Sequence, residues 1–216
     1  MKHSLHLIAL LAAAVAAFAA GCASAPSSSE LDRQALAMIN ASFRDQGIAK
    51  LDRLKQDLGQ SACSGEKPPT DDVAKRVETE ALATIQWPAG GQYVGDWREG
   101  EKLAQNGRGM TWTDASPATA GNGAQCYNCH QIDRQEISYG NIGPSLWNYG
   151  KLRGVTNVTD PATAPIVQYT WGKLWNSKAY SACSNMPRFG HAKLLDEQQI
   201  RHLMALLLDP QSPVNK

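Results

Sequence analysis

The apolar positions change their period several times along the chain. After a start that carries Lys2, Leu7 to Ala20 run without a charge. That layout is an export signal, and the run is shorter than the about 20 apolar residues a membrane-spanning helix needs. Ala-Ser-Ala-Pro-Ser-Ser-Ser at 23–29 then reads as a small, polar tether. From Leu31, apolar residues fall at 31, 35, 38 and 39 and again at 48, 51, 54 and 58, a helical period interrupted near Gly47. A second helix is predicted from Asp71, after Pro68-Pro69, to about Ile85, with Trp87-Pro88-Ala89-Gly90-Gly91 ending it.

Beyond that break, Asp96 to Asn106 reads as a helix with Trp97, Gly100 and Ala104 on one side. Asp196, followed three residues later by Gln199, resembles a capping box. Ile200, Leu203, Met204 and Leu207 then form one apolar face of a helix that Pro210 stops. Gly100 would let these two helices approach closely. Between them lie loops rich in Gly and Pro, where only short helices are expected. With no strand-rich region and no internal repeat, the predicted fold class is all-α.

Composition narrows the function. Among 216 residues, 21 Lys and Arg face 20 Asp and Glu, which gives no basic excess of the kind nucleic-acid binders carry. Removal of a signal over 1–21 takes Lys2 with it and leaves the mature chain formally neutral. The five cysteines stand at 22, 63, 126, 129 and 183, too few for a disulfide-dense scaffold. Phe18-Ala19-Ala20-Gly21-Cys22 resembles a bacterial lipobox with Ala19 where Leu is commoner, which makes Cys22 the lipidation candidate and first mature residue. Acyl chains there would tether the protein to a membrane.

Cys126-Tyr127-Asn128-Cys129-His130 is the Cys-x-x-Cys-His signature of c-type haem attachment. Two thiols add to the haem vinyl groups and the adjacent imidazole reaches the iron. A thioredoxin-like pair lacks its surrounding βαβ pattern, and zinc lacks a second ligand pair at comparable spacing. The second axial position has Met186 as its candidate, in Met186-Pro187-Arg188-Phe189-Gly190, with His191 as the rival. A thioether raises the potential, which suits an electron carrier. Met204 reads as core, and Met110 and Met38 lie near or in other helices. Gly143-Pro144 reads either as a turn or as the backbone carbonyl that accepts the His130 Nδ1 proton. Arg153 and Tyr149, with Trp175, are candidates to bind haem propionates, against the plainer reading of a solvated Arg.

In this order the pieces resemble a class I cytochrome c domain from about residue 91 to 209. Gly140-Asn141-Ile142-Gly143-Pro144-Ser145-Leu146, Tyr149-Gly150-Lys151-Leu152-Arg153-Gly154, the run 182–191 around Met186, and the tail 206–215 with Asp209-Pro210-Gln211-Ser212-Pro213-Val214-Asn215 resemble the SoxX family. Its members are the monohaem subunits of the bacterial thiosulfate-oxidising SoxAX complex. The extension and Gly95-Asp96-Trp97-Arg98-Glu99-Gly100-Glu101 resemble its longer members. The expected organisation is therefore a signal over 1–21, a linker and helical extension over 22–90, and a cytochrome c domain over 91–216.

The resemblance implies one covalently bound haem c, held by Cys126 and Cys129 with His130 and Met186 on the iron. It implies the periplasm and a defined reaction, the oxidative conjugation of thiosulfate to a cysteine of a SoxYZ-like carrier (L-cysteine S-thiosulfotransferase). The substrate chemistry falls on a SoxA-like cytochrome subunit, and electrons pass onward to a small cytochrome c. A free-standing carrier between a dehydrogenase and a terminal oxidase is the alternative. In an oxidising compartment the remaining Cys63 and Cys183 are expected to pair, tying the extension to the Met186 loop, with a reactive Cys183 thiol as the other reading. Six basic residues between Gly150 and Lys193 (Lys151, Arg153, Lys173, Lys178, Arg188 and Lys193) suggest a rim that steers an acidic partner, or simply a solvated surface.

Overall fold

The computed structural model describes residues 25–114, 116, 121–136 and 139–216, so the expected export signal over 1–21 and Cys22 lie outside the described residues. Every regular element among the described residues is a helix or a 3₁₀ turn, with no strand. The described residues divide into two units, with the boundary between Arg44 and Asp45. In the first, helix α1 (Ser28–Ser42) starts where the Ser27 hydroxyl accepts the Glu30 N–H at 3.2 Å. Its Leu31, Leu36 and Met38 are exposed.

In the second unit the expected helical period over 48–58 is broken up. Gly47 has φ +54°, and a Cβ there would sit 2.5 Å from the Trp112 carbonyl oxygen. Its neighbours Gln46 and Ala49 exchange backbone hydrogen bonds, Leu51–Leu54 form a 3₁₀ turn, and helix α2 (Leu58–Cys63) starts afresh at Asp57. Asp57 Oδ1 accepts the Gln60 N–H at 2.7 Å and Gln60 Oε1 accepts the Asp57 N–H at 2.8 Å, a capping box. Tertiary contact and a local cap thus override the run of apolar positions.

Helix α3 (Asp71–Ala83) carries Asp71 and Asp72 at its positive end. It stops two residues short of Ile85 because Thr84 closes it, its hydroxyl donating to the Ala81 carbonyl at 2.7 Å. Helices α4 (Trp97–Gln105) and α7 (Glu197–Leu208) pack together. A Cβ on Gly100 would lie 2.1 Å from the His202 carbonyl oxygen, so only glycine admits this approach. The Gly95 N–H donates to the Arg201 carbonyl at 2.8 Å and the Asp96 N–H to His202 Nδ1 at 2.9 Å, joining the start of α4 to the same turn of α7.

The capping box at α7 forms as its spacing predicts, with Asp196 Oδ1 accepting the Gln199 N–H at 2.8 Å. Burial exceeds the single predicted face, because Ala205, Leu206 and Leu208 are also covered. Helices α4, α5 (Tyr149–Leu152) and α6 (Ala164–Trp175) and the terminal turn Pro213–Asn215 all pack on α7. Met204 is fully buried in that core. The twelve-residue α6 is longer than the short helices expected between α4 and α7. The tail folds back through Asn215, whose Oδ1 accepts the Gly150 and Lys151 N–H groups at 2.9 and 3.1 Å. Its Nδ2 donates to the Leu207 carbonyl at 3.0 Å, so the tail fixes the start of α5 against the end of α7.

Residues 45–90 belong to this same compact unit. Trp171 and Trp175 donate their indole N–H groups to the Gln86 and Thr84 carbonyls at 2.8 and 3.1 Å. Asn176 Nδ2 donates to Thr84 Oγ1 at 2.9 Å. The Cys63–Cys183 disulfide joins α2 to the loop after the 3₁₀ turn Ser177–Ala179.

Candidate functional site

One cavity of about 650 Å³ lies in the second unit, within the size range of small-molecule and cofactor pockets. Cys126, Cys129 and His130 line it, as do Pro144, Arg153 and Met186. Residues from α5, α6 and α7, including Tyr149, Leu174 and Leu203, complete walls that are mainly apolar.

The wall that carries the thiols is built locally. Gln125 takes a left-handed conformation and Cys126–Asn128 form a 3₁₀ turn, with the Cys129 and His130 N–H groups both donating to the Cys126 carbonyl, at 3.1 and 2.9 Å. The Gly143 N–H donates to the Cys129 carbonyl at 2.8 Å, which brings 143–146 alongside. His130 Nδ1 lies 2.7 Å from the Pro144 carbonyl oxygen. A carbonyl only accepts, so Nδ1 carries a proton, and in the neutral ring the lone pair is on Nε2. A Cβ on Gly143 would fall 2.1 Å from His130 Cε1, so glycine is what lets the loop pass over the ring.

Burial pushes the Cys126 thiol up to about 12, which makes it a neutral apolar group rather than a thiolate. Among the described residues no three His, Cys, Asp or Glu side chains gather as a metal-holding group. A zinc site needs its donors to converge on one point, and Cys126, Cys129 and His130 do not. Two thiols that bond to separate vinyl groups have no such requirement. The donor set and the apolar cavity therefore fit a covalently attached haem.

Met186 reaches the cavity from the loop after the disulfide, while His191 is exposed and lies outside these walls. The Met186 backbone is bound at both ends: Ser184 Oγ accepts its N–H at 3.3 Å, and the Ser177 hydroxyl donates to its carbonyl at 2.6 Å. Met110, expected near another helix, also lines the cavity, with φ +60°. Met38 belongs to the first unit, and Met204 to the core.

Arg153 Nη1 donates to the Tyr149 carbonyl at 3.1 Å, and its guanidinium lies 3.8 Å from the centre of the Tyr149 ring. Thr170 donates to the Ile166 carbonyl, so the Tyr149 hydroxyl, 2.9 Å away, donates to Thr170. Trp175 does not join this group: its ring backs Gly190 and its N–H is engaged by Thr84. Sequence reasoning missed the cavity residues Tyr169, Thr170 and Leu174 on α6. The signal was present, since Val167, Thr170, Trp171 and Leu174 fall at i, i+3, i+4 and i+7 after Pro165.

The basic stretch also divides. Lys178 is buried, its Nζ donating to the Ala182 and Gly59 carbonyls at 2.9 and 3.3 Å, and burial lowers its pKa. Arg188 Nη1 pairs with Asp57 Oδ2 at 2.6 Å. These two cations hold the chain to itself rather than form a free rim. Lys173 and Arg153 likewise donate to carbonyls of the chain itself, so of the six only Lys151 and Lys193 stand exposed without such a bond among the described residues.

No family model matches the chain. A protein of Aquifex aeolicus (strain VF5), described as an uncharacterized lipoprotein, is 39% identical over 166 residues, covering 74% of this chain and 73% of that protein.

Proposed function

We propose that this chain, which belongs to one family with the Aquifex aeolicus lipoprotein, is a monohaem c-type cytochrome of class I fold. The observation that carries this reading is the placing of Cys126, Cys129, His130 and Met186 on the walls of one apolar cavity. When bound, haem supplies a one-electron ferric/ferrous couple. Cys126 and Cys129 fix it to the chain. His130, oriented by the Pro144 carbonyl, presents a basic Nε2, and Met186 offers a thioether that favours the ferrous state. Arg153 places positive charge at the wall for a propionate.

The residues that resemble the SoxX family carry the reading further. The chain is the electron-transfer subunit of a thiosulfate-conjugating enzyme of the periplasm. A single haem moves one electron at a time, so a two-electron conjugation requires the second redox site of a SoxA-like partner. The relative's description as a lipoprotein supports lipid on Cys22. No helix among the described residues is long and apolar enough to cross a membrane.

Expression in a host that matures c-type cytochromes tests the haem directly. The intact mass should carry one haem that survives denaturation, and the Cys126→Ser/Cys129→Ser variant should lose it. A chain without covalent haem would overturn the reading. Acyl mass on Cys22 is read in the same spectrum. Co-purification of a second cytochrome and thiosulfate-dependent modification of a carrier cysteine test the sulfur step; a monomer that accepts electrons with neither would be the free-standing carrier instead.

A further inference from the structure

We propose that Ser177 is the positioning residue for Met186, and that the helical arm over residues 58–86 sets Ser177 and so governs how firmly the thioether is held. The inference rests on the haem reading above and concerns only this chain's side of it. Ser177 is fully buried, and no site in the cytochrome motif calls for it. Its hydroxyl donates the short bond to the Met186 carbonyl, while the bond the Met186 N–H donates to Ser184 Oγ at the other end is long, at 2.6 against 3.3 Å. The Ser177 carbonyl accepts from Lys173 Nζ at 3.2 Å, which anchors it to a cavity wall.

The arm reaches Ser177 through its neighbour. Asn176 is 1% exposed; its Nδ2 donates to Thr84 Oγ1 and its Oδ1 accepts the Lys178 N–H at 3.3 Å. Lys178 in turn donates to the Gly59 carbonyl on α2. The turn that holds Met186 is thus bracketed by Thr84 and Gly59, both from the arm. A solvated linker would supply neither contact. The arm is a brace for the loop that carries the candidate ligand.

The test is an imidazole titration of the ferric, haem-loaded protein, following the absorption that a methionine sulfur gives when bound to ferric haem. Imidazole competes with Met186, so a loosened thioether raises its apparent affinity. Removing one hydrogen bond of ordinary strength predicts about fivefold tighter imidazole binding in Ser177→Ala, with Ser177→Thr, which keeps the hydroxyl, near wild type. Thr84→Val, remote from the cavity, should shift affinity in the same direction by about twofold. Met186→Ala should abolish the absorption and Met110→Ala should keep it. Wild-type absorption with unchanged imidazole affinity in Ser177→Ala overturns the positioning role. If that variant does not fold, unchanged affinity in Thr84→Val overturns the brace. A wild-type protein lacking the absorption overturns the Met186 reading, and this inference falls with it.

Discussion

The two walls that carry the candidate iron ligands are held in opposite ways. The His130 wall is local: its turn, its glycine and its carbonyl acceptor all lie between Gln125 and Leu146, bound by short-range backbone bonds. The Met186 wall is held from far along the chain, by the Cys63–Cys183 bond and by Gly59, Thr84 and Asp57. A motif can be complete in itself on one side of a cofactor while the other side borrows its rigidity from an added segment. Each wall is therefore breakable without the other.

The largest separation should come from the disulfide. It closes a loop with a sequence separation of 120 residues, and loss of such a bond costs about 2–5 kcal/mol. Cys63→Ser/Cys183→Ser should lower unfolding stability by that amount in denaturant titrations. Methionine ligation should weaken while covalent haem and the His130 side stay intact. Equal damage to both walls would dissolve the distinction.

A second break attacks the local wall. Gly143→Ala places a methyl 2.1 Å from His130 Cε1, and overpacking of that kind costs about 1–3 kcal/mol. The ring has to turn away from the Pro144 carbonyl, so the proximal imidazole spectrum should change while stability of the arm does not. Retention of a wild-type imidazole signature would show that the loop, not the ring, gives way.

What could be read in advance follows the same division. Cys126, Cys129, His130 and Pro144 are close in sequence, so the spacing of the motif places them. The Asp196–Gln199 cap and the approach at Gly100 are likewise written in residue type. The arm's docking is not, because its acceptors at Gly59, Thr84 and Gln86 are mostly backbone carbonyls, which every residue possesses. Nor does apolar spacing reveal that Gly47 abuts Trp112, that the run over 48–58 breaks into a 3₁₀ turn and a fresh helix at Asp57, or that Lys178 lies buried under the arm rather than at a rim. The pairing of Cys63 with Cys183 is suggested by compartment and count, and its tie from the extension to the Met186 loop by Cys183 standing three residues before Met186. Pro165 and the spacing of Val167, Thr170, Trp171 and Leu174 were legible, and the richness of that region in Gly and Pro masked them.

The smallest effect is also the most selective. Burial raises the Asp57 carboxyl, but the Gln60 amide and Arg188 together outweigh it and hold the group below its ordinary value of 3.8. A carboxylate with a depressed folded pKa stabilises above its unfolded value and loses that contribution as pH falls through the folded one. The Asp57–Arg188 pair should therefore support the arm near neutrality and release it only below about pH 4. Asp57 is 42% exposed, so screening limits the pair to about 0.2–1 kcal/mol. Asp57→Asn should reduce stability at neutral pH by about that much, less at high salt, and the difference from wild type should vanish in acid. If the imidazole affinity of the ferric protein followed the same acid limb in wild type but not in Asp57→Asn, the arm's charge pair would be coupled to the Met186 wall. An Asp57→Asn variant as stable as wild type at neutral pH would assign Asp57 to the α2 cap alone, where asparagine serves nearly as well.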